Sequence, residues 1–137
     1  MKNLSKYSAL LMAAAILFST TVSANNFNGV KEKAVEKARS AVSTASPDDW
    51  QTLAKSAESL IIKNTNLGEA KQWLEQSIEI NPTSYNLEVM GDYYSLNNLP
   101  KKAIGYYIQS MDKLKENNAN ISTTELQDKI LTASKKR

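Results

Sequence analysis

Acidic side chains are the obvious candidates for chemistry here, because the chain has no histidine and no cysteine. That removes the commonest general base and the usual ligands of zinc and copper. Two carboxylate pairs stand out. Asp48-Asp49 follows Ser46-Pro47 and runs into a helical apolar pattern. A capping Ser, a Pro at the first helical position and acids at the positive end of the helix dipole account for that segment without catalysis. Glu75 and Glu79 lie one turn apart on the face opposite the apolar stripe, where a solvated pair is the simpler reading than an acid and a base. There is no Gly-rich phosphate loop and no nucleophile elbow. Four glycines in 137 residues leave little for loops that wrap a substrate. The sequence therefore predicts no enzyme, no metal site and no cofactor.

The N-terminus predicts export. Lys2 and Lys6 make a short positive region, residues 9–18 are apolar and uncharged, and Val22-Ser23-Ala24 ends the segment with small residues. This is the three-part pattern of a secretory signal over residues 1–24, cut after Ala24. The apolar run is half the roughly 20 residues a bilayer span needs, so no transmembrane segment is expected in the mature chain. The expected location is the periplasm, with secretion as the alternative. Signal removal also changes the charge. The full chain carries 17 basic and 14 acidic residues, and without Lys2 and Lys6 the net charge falls from +3 to +1. The basic residues alternate with acids, whereas a phosphate backbone calls for cations clustered on one face. No nucleic-acid partner is expected.

Residues 25–137 suffice for a single domain, and without cysteine its stability must come from packing. The apolar spacing is helical throughout. A first helix over about 28–44 carries Val30, Ala34, Ala38, Ala41 and Val42 on a narrow stripe. A second opens at Ser46-Pro47 and presents Trp50, Leu53, Ala54, Ala57, Leu60 and Ile61. A third presents Ala70, Trp73, Leu74, Ser77 and Ile78 and stops at Asn81-Pro82. A fourth presents Leu87, Met90, Gly91 and Tyr94. Pro100 opens a fifth, with Ala103, Ile104, Tyr107, Met111 and Leu114 inward. Ser122-Thr123-Thr124-Glu125 has capping-box spacing and starts a last helix over 122–134 with Leu126, Ile130 and Ala133 inward. Short turns between about six helices imply an all-α fold of antiparallel helical hairpins.

Two hairpins repeat. Ala70, Leu74 and Ser77 recur as Ala103, Tyr107 and Ser110, and Asn66-Leu67 is echoed by Asn98-Leu99 before the second helix. A period near 34 with two helices per unit resembles the tetratricopeptide repeat. Residues 84–117 are the better copy: Leu87, Met90-Gly91, Tyr94, Ala103, Tyr107 and Ser110 stand at the family's pattern positions. Residues 50–82 are a degenerate copy, with Ser56-Ala57 in place of the Leu-Gly pair, and the last helix would act as a cap.

The resemblance implies a short solenoid whose first helices line a concave face for a protein or peptide partner. Tyr85, Glu88, Asp92 and Ser95 would stand there in the better copy, with Glu58 and Ile61 as earlier counterparts. Some members of the family clamp a C-terminal carboxylate at such positions. Glu88 and Asp92 argue against that chemistry here and for a basic or apolar segment. Tyr93 and Tyr106, the helical neighbours of Tyr94 and Tyr107, are expected exposed or at the edge of the core, either as interface anchors or as single surface aromatics without a role. The functional expectation is an exported interaction module or scaffold of the bacterial cell envelope. The alternative is a small stand-alone helical bundle of the envelope or stress response, without a peptide groove.

Overall fold

The computed structural model describes residues 27–136, so the expected export signal lies outside the described residues. Six helices and no strand occur among the described residues. They are α1 (residues 27–44), α2 (Trp50–Ile62), α3 (Leu67–Ile80), α4 (Ser84–Leu96), α5 (Pro100–Asn117) and α6 (Thr124–Ser134). None is long and apolar enough to cross a membrane. The chain divides into two compact units between Lys33 and Ala34. In the described part of the first, the Lys31 ammonium lies 4.7 Å from the centre of the Phe27 ring. The second holds stacked hairpins: from α2 onward each helix packs on the next, and α2 also meets α4.

Where the helices begin differs in detail from the expectation. Asp49, not Ser46, caps α2: its carboxylate accepts from the Thr52 backbone N–H at 2.9 Å and the Thr52 hydroxyl at 2.7 Å. Ser46, Pro47 and Asp48 form the preceding turn, because Asp49 N–H closes back on the Ser46 carbonyl at 3.0 Å. These bonds hold the Asp49 carboxyl below its usual pKa, the Thr52 hydroxyl first. The expected box at Ser122 and Glu125 does not form. Thr123 is the N-cap of α6, Ser122 turns its hydroxyl toward that of Thr124, and Gln127 Nε2 donates to Thr123 Oγ1 at 3.1 Å. The complete capping box is at α4, where Thr83 and Asn86 each accept from the other's backbone N–H, at 3.3 and 2.9 Å.

The ends of the first helices of the two hairpins are built alike. Asn64 and Asn98, 34 residues apart, both take the left-handed conformation, with φ of 48° and 55°. In each case the asparagine N–H bonds the carbonyl three residues back and the next N–H reaches five back: Thr65 to Leu60 at 3.0 Å, Leu99 to Tyr94 at 2.9 Å. This is the Schellman closure, with asparagine in the place that glycine usually takes. The matching asparagine of the first turn is thus Asn64, where the sequence pairing had Asn66. That turn is one residue longer than its copy, and Asn66 supplies the extra left-handed step before α3.

The core runs through all six helices. Leu60, Leu74 and Met90 are its largest fully buried apolar side chains, each worth about 1.5–3 kcal/mol of burial. On α1, Val35 and Ala38 are the buried residues, whereas Val30 is exposed. Arg39 of α1 ties this helix to Glu69 of α3 through a two-pronged ion pair at 2.9–3.1 Å. The paired helices of the better copy approach closely at Gly91: a Cβ there would stand 2.4 Å from a Tyr107 ring carbon. The equivalent positions of the earlier copy hold Ala57 and the smaller Leu74, both fully buried in the same core. The larger ring requires the smaller partner.

A bond repeats with the packing. Ser77 Oγ donates to the carbonyl of Trp50, the first residue of α2, and Ser110 Oγ donates to that of Ser84, the first residue of α4, both at 2.8 Å. Both serines are fully buried, so a small hydroxyl is needed twice, at the same place in each hairpin. Asn86, also buried, links the two copies by donating to Ser77 Oγ at 3.0 Å and to the Asn81 carbonyl at 2.8 Å.

Candidate partner-binding face

α2, α4 and α6 place polar side chains in one continuous row. Tyr85 of α4 donates its hydroxyl to Glu58 Oε2 of α2 at 2.6 Å. On the other side of α4, Glu88 accepts from Lys129 Nζ of α6 at 2.6 Å, and Asp92 accepts from the same ammonium at 2.9 and 3.0 Å. Tyr107 of α5 donates to Asp92 Oδ1 at 2.9 Å from beneath, and Lys129 lies 5.7 Å from the centre of the Tyr107 ring. Glu88, Asp92 and Lys129 therefore join α4, α5 and α6, and the separate Tyr85–Glu58 bond joins α4 to α2.

The electrostatics follow from that arrangement. Burial works against the Lys129 ammonium, but its bonds to Glu88 and Asp92 outweigh it and hold the group above the usual lysine pKa. Burial first, and then the neighbouring carboxylates, push the phenols of Tyr85 and Tyr107 well above the ordinary tyrosine range. Both remain neutral donors at any physiological pH. No buried side-chain nitrogen or oxygen among the described residues lacks a partner, so the row is preorganised rather than strained.

Between α4 and α6 a cleft of about 820 Å³ opens beside this row, lined by Asp92, Ser95, Tyr107, Glu125, Asp128 and Lys129 among others. Three carboxylates face one ammonium there, which leaves the cleft acidic. Such a surface attracts cationic groups and offers hydroxyls for hydrogen bonding.

Of the six residues expected at the face, Tyr85, Glu58, Glu88 and Asp92 are joined by the bonds above, and Ser95 lines the cleft. Ile61 is a correction: it is 7 % exposed and belongs to the core, so no partner reaches it. Tyr93 and Tyr106 are also not free anchors. Both are half-buried, because Tyr94 draws them in, Tyr106 stacked on it at 5.3 Å and Tyr93 edge-on at 5.2 Å. The residue the sequence missed is Lys129, whose partners lie 37 and 41 positions away with no local pattern to announce it.

The carboxylate pairs weighed for catalysis do not converge. Asp49 caps α2 while Asp48 is exposed in the turn before it, and Glu75 pairs with Lys71 on its own helix while Glu79 is exposed. Among the described residues, no group of three or more acids is placed to hold a metal ion. Compared with known proteins, the chain matches no family model, no curated protein and no solved structure. The architecture is an all-helical stack of hairpins, compatible with a helical-repeat fold.

Proposed function

We propose that this chain is an exported interaction module, similar to a tetratricopeptide repeat protein, that serves as a small scaffold in the bacterial cell envelope. The observation carrying the repeat reading is the pair of buried serine bonds, Ser77 to Trp50 and Ser110 to Ser84, together with the matched asparagine closures at Asn64 and Asn98. A generic bundle has no reason to place the same hydroxyl against the same carbonyl twice. In this reading α2, α4 and α6 are successive first helices, and their shared face with the acidic cleft receives a basic or apolar segment of a protein partner. The export half of the proposal rests on the pattern of residues 1–24. The role is one of binding, without catalysis or a cofactor.

Fractionation and pull-down test both halves. The mature protein should be recovered from the periplasmic fraction with Asn25 at its N-terminus, and should retain an envelope protein that Glu88→Lys and Ser95→Arg variants lose. A monodisperse monomer that retains nothing above background counts against the scaffold. A full-length chain in the cytoplasm counts against export. The second reading, a stand-alone bundle, has one observation on its side: Lys129 of the same chain already satisfies Glu88 and Asp92. In that case both variants would leave every interaction unchanged.

A further inference from the structure

A second cleft lies at the other edge of the last hairpin, away from the acidic face. It has a volume of about 580 Å³ and is formed by the start of α5 and the end of α6. Its floor is Leu99, Pro100, Ile104 and Ala133, and Lys101, Lys102 and Lys136 stand around it. Leu99 is 43 % exposed. None of the three lysines is among the ion pairs of the described residues. Lys102 lies over the Tyr94 ring, 5.2 Å from its centre. The start of α5 has no side-chain cap, so its dipole adds to the positive potential.

The preceding hairpin explains why this cleft is open. Lys71 of α3 precedes Ile104 of α5 by one repeat of 33 residues, and there α4 contributes Tyr93 and Tyr94. With Tyr106 they make a stacked aromatic group within charge-interaction range of Lys71 and Glu75. α6 ends instead on Ala133 and Ser134, which bring no ring to the corresponding place. The floor is apolar and the rim is cationic, and on the proposed repeat reading none of the described residues supplies the aromatic filling seen one hairpin earlier.

We infer that this cleft docks an acidic segment of a partner protein, one that inserts a large apolar side chain onto Leu99 and Ile104 and sets carboxylates against Lys101, Lys102 and Lys136. An apolar anchor with a charged surround is the usual division of labour at an interface. The charge complementarity is opposite to that of the acidic α4–α6 cleft, so one chain can hold two segments of opposite character.

The test is selection from a random peptide library displayed on phage, against the intact mature chain and a Lys101→Glu/Lys136→Glu variant. Both substitutions are at exposed positions, and circular dichroism confirms that the variant is folded. The expected clones carry Asp and Glu flanking a Leu, Phe or Trp, bind about 10-fold or more weakly to the variant, and weaken as salt is raised. Selected peptides that are neutral or basic, or that bind the variant equally well, overturn the inference, as does a failure to enrich any peptide. Vesicles of phosphatidylglycerol and phosphatidylcholine form a separate arm. Sedimentation of the chain with them, lost in the variant and not competed by the peptides, would assign the cleft to an anionic membrane surface and also overturn it.

Discussion

Replacing Gly91 with alanine tests the hairpin packing at its tightest point. The added Cβ would stand 2.4 and 2.5 Å from two ring carbons of Tyr107 and 3.1 Å from a third. That ring has nowhere to go, since Tyr107 is 2 % exposed and its hydroxyl is bound to Asp92 at 2.9 Å. Overpacking of this kind costs about 1–3 kcal/mol, and the short contact argues for the upper half of that range. Alanine returns about 1 kcal/mol through its helix propensity. The net expectation is a loss of about 1–2 kcal/mol, or about 5–10 °C in Tm for a domain near 100 residues. Gly105, inside α5 with nothing within 4 Å of its Cβ position, is the internal control. Gly105→Ala should raise Tm by about 2–5 °C. The earlier hairpin supplies the compensating pair, Ala57 with Leu74. Gly91→Ala combined with Tyr107→Leu should therefore show a favourable coupling of at least about 1 kcal/mol in a double-mutant cycle, read by urea unfolding followed at 222 nm. A Gly91→Ala protein as stable as the parent, or singles that simply add, would refute this account of the packing.

Other consequences follow from single bonds. Ser77→Ala and Ser110→Ala should each cost about 1 kcal/mol in urea unfolding, with Ser77 the costlier because Asn86 also donates to it; no loss at either site would remove the repeated bond as a structural element. Lys129→Met should cost about 1 kcal/mol and speed hydrogen exchange along α6, whereas unchanged α6 protection would mean the Glu88–Lys129–Asp92 contact does not hold that helix. The urea midpoint should be flat near neutrality and fall at both ends of the pH scale. On the acid side, the Thr52 hydroxyl lowers Asp49 and the Arg39 guanidinium lowers Glu69, so their stabilisation is present above the ordinary values of 3.8 and 4.5 and is lost as pH falls through the lowered ones. On the alkaline side, Tyr85, Tyr107 and Lys129 are raised, so theirs is present below about pH 10 and lost as pH rises. Tyr85→Phe with Tyr107→Phe should make the alkaline fall shallower, and an unchanged slope would contradict the assignment.

Much of the fold was legible because its signals are local. The inward residues of α4, namely Leu87, Met90, Gly91 and Tyr94, are all buried as their spacing implies. Pro100 sits at the first position of α5 as the sequence suggests. What escaped was decided by competition between similar neighbours. Ser46, Asp48 and Asp49 can all cap, and Asp49 wins by taking two bonds from Thr52. Asn64 and Asn66 are both left-handed, and only the hydrogen bonds to Leu60 and Ile61 identify Asn64 as the copy of Asn98. Asn86 stands at the right spacing from Thr83 for a capping box, but with asparagine in the place of glutamate or glutamine the box carries no sequence signature. The candidate face was half legible. The repeat resemblance implied Glu58, Tyr85, Glu88 and Asp92 on one face, but the Tyr85–Glu58 bond and the bonds of Glu88 and Asp92 to Lys129 exist only through tertiary contact. Tyr93 and Tyr106 were drawn inward by Tyr94, a neighbour effect that helical phase alone does not carry.

The central claim is that the face formed by α2, α4 and α6 meets another protein in the envelope. A photo-reactive amino acid at Ser95, in the acidic cleft, tests it directly in living bacteria, with the same probe at exposed Glu79 of α3 as the control. The expected result is a discrete adduct of one defined mass from Ser95, formed in the periplasmic fraction and absent from Glu79. Equal labelling at both positions, or no adduct from Ser95 beyond the monomer, would contradict it.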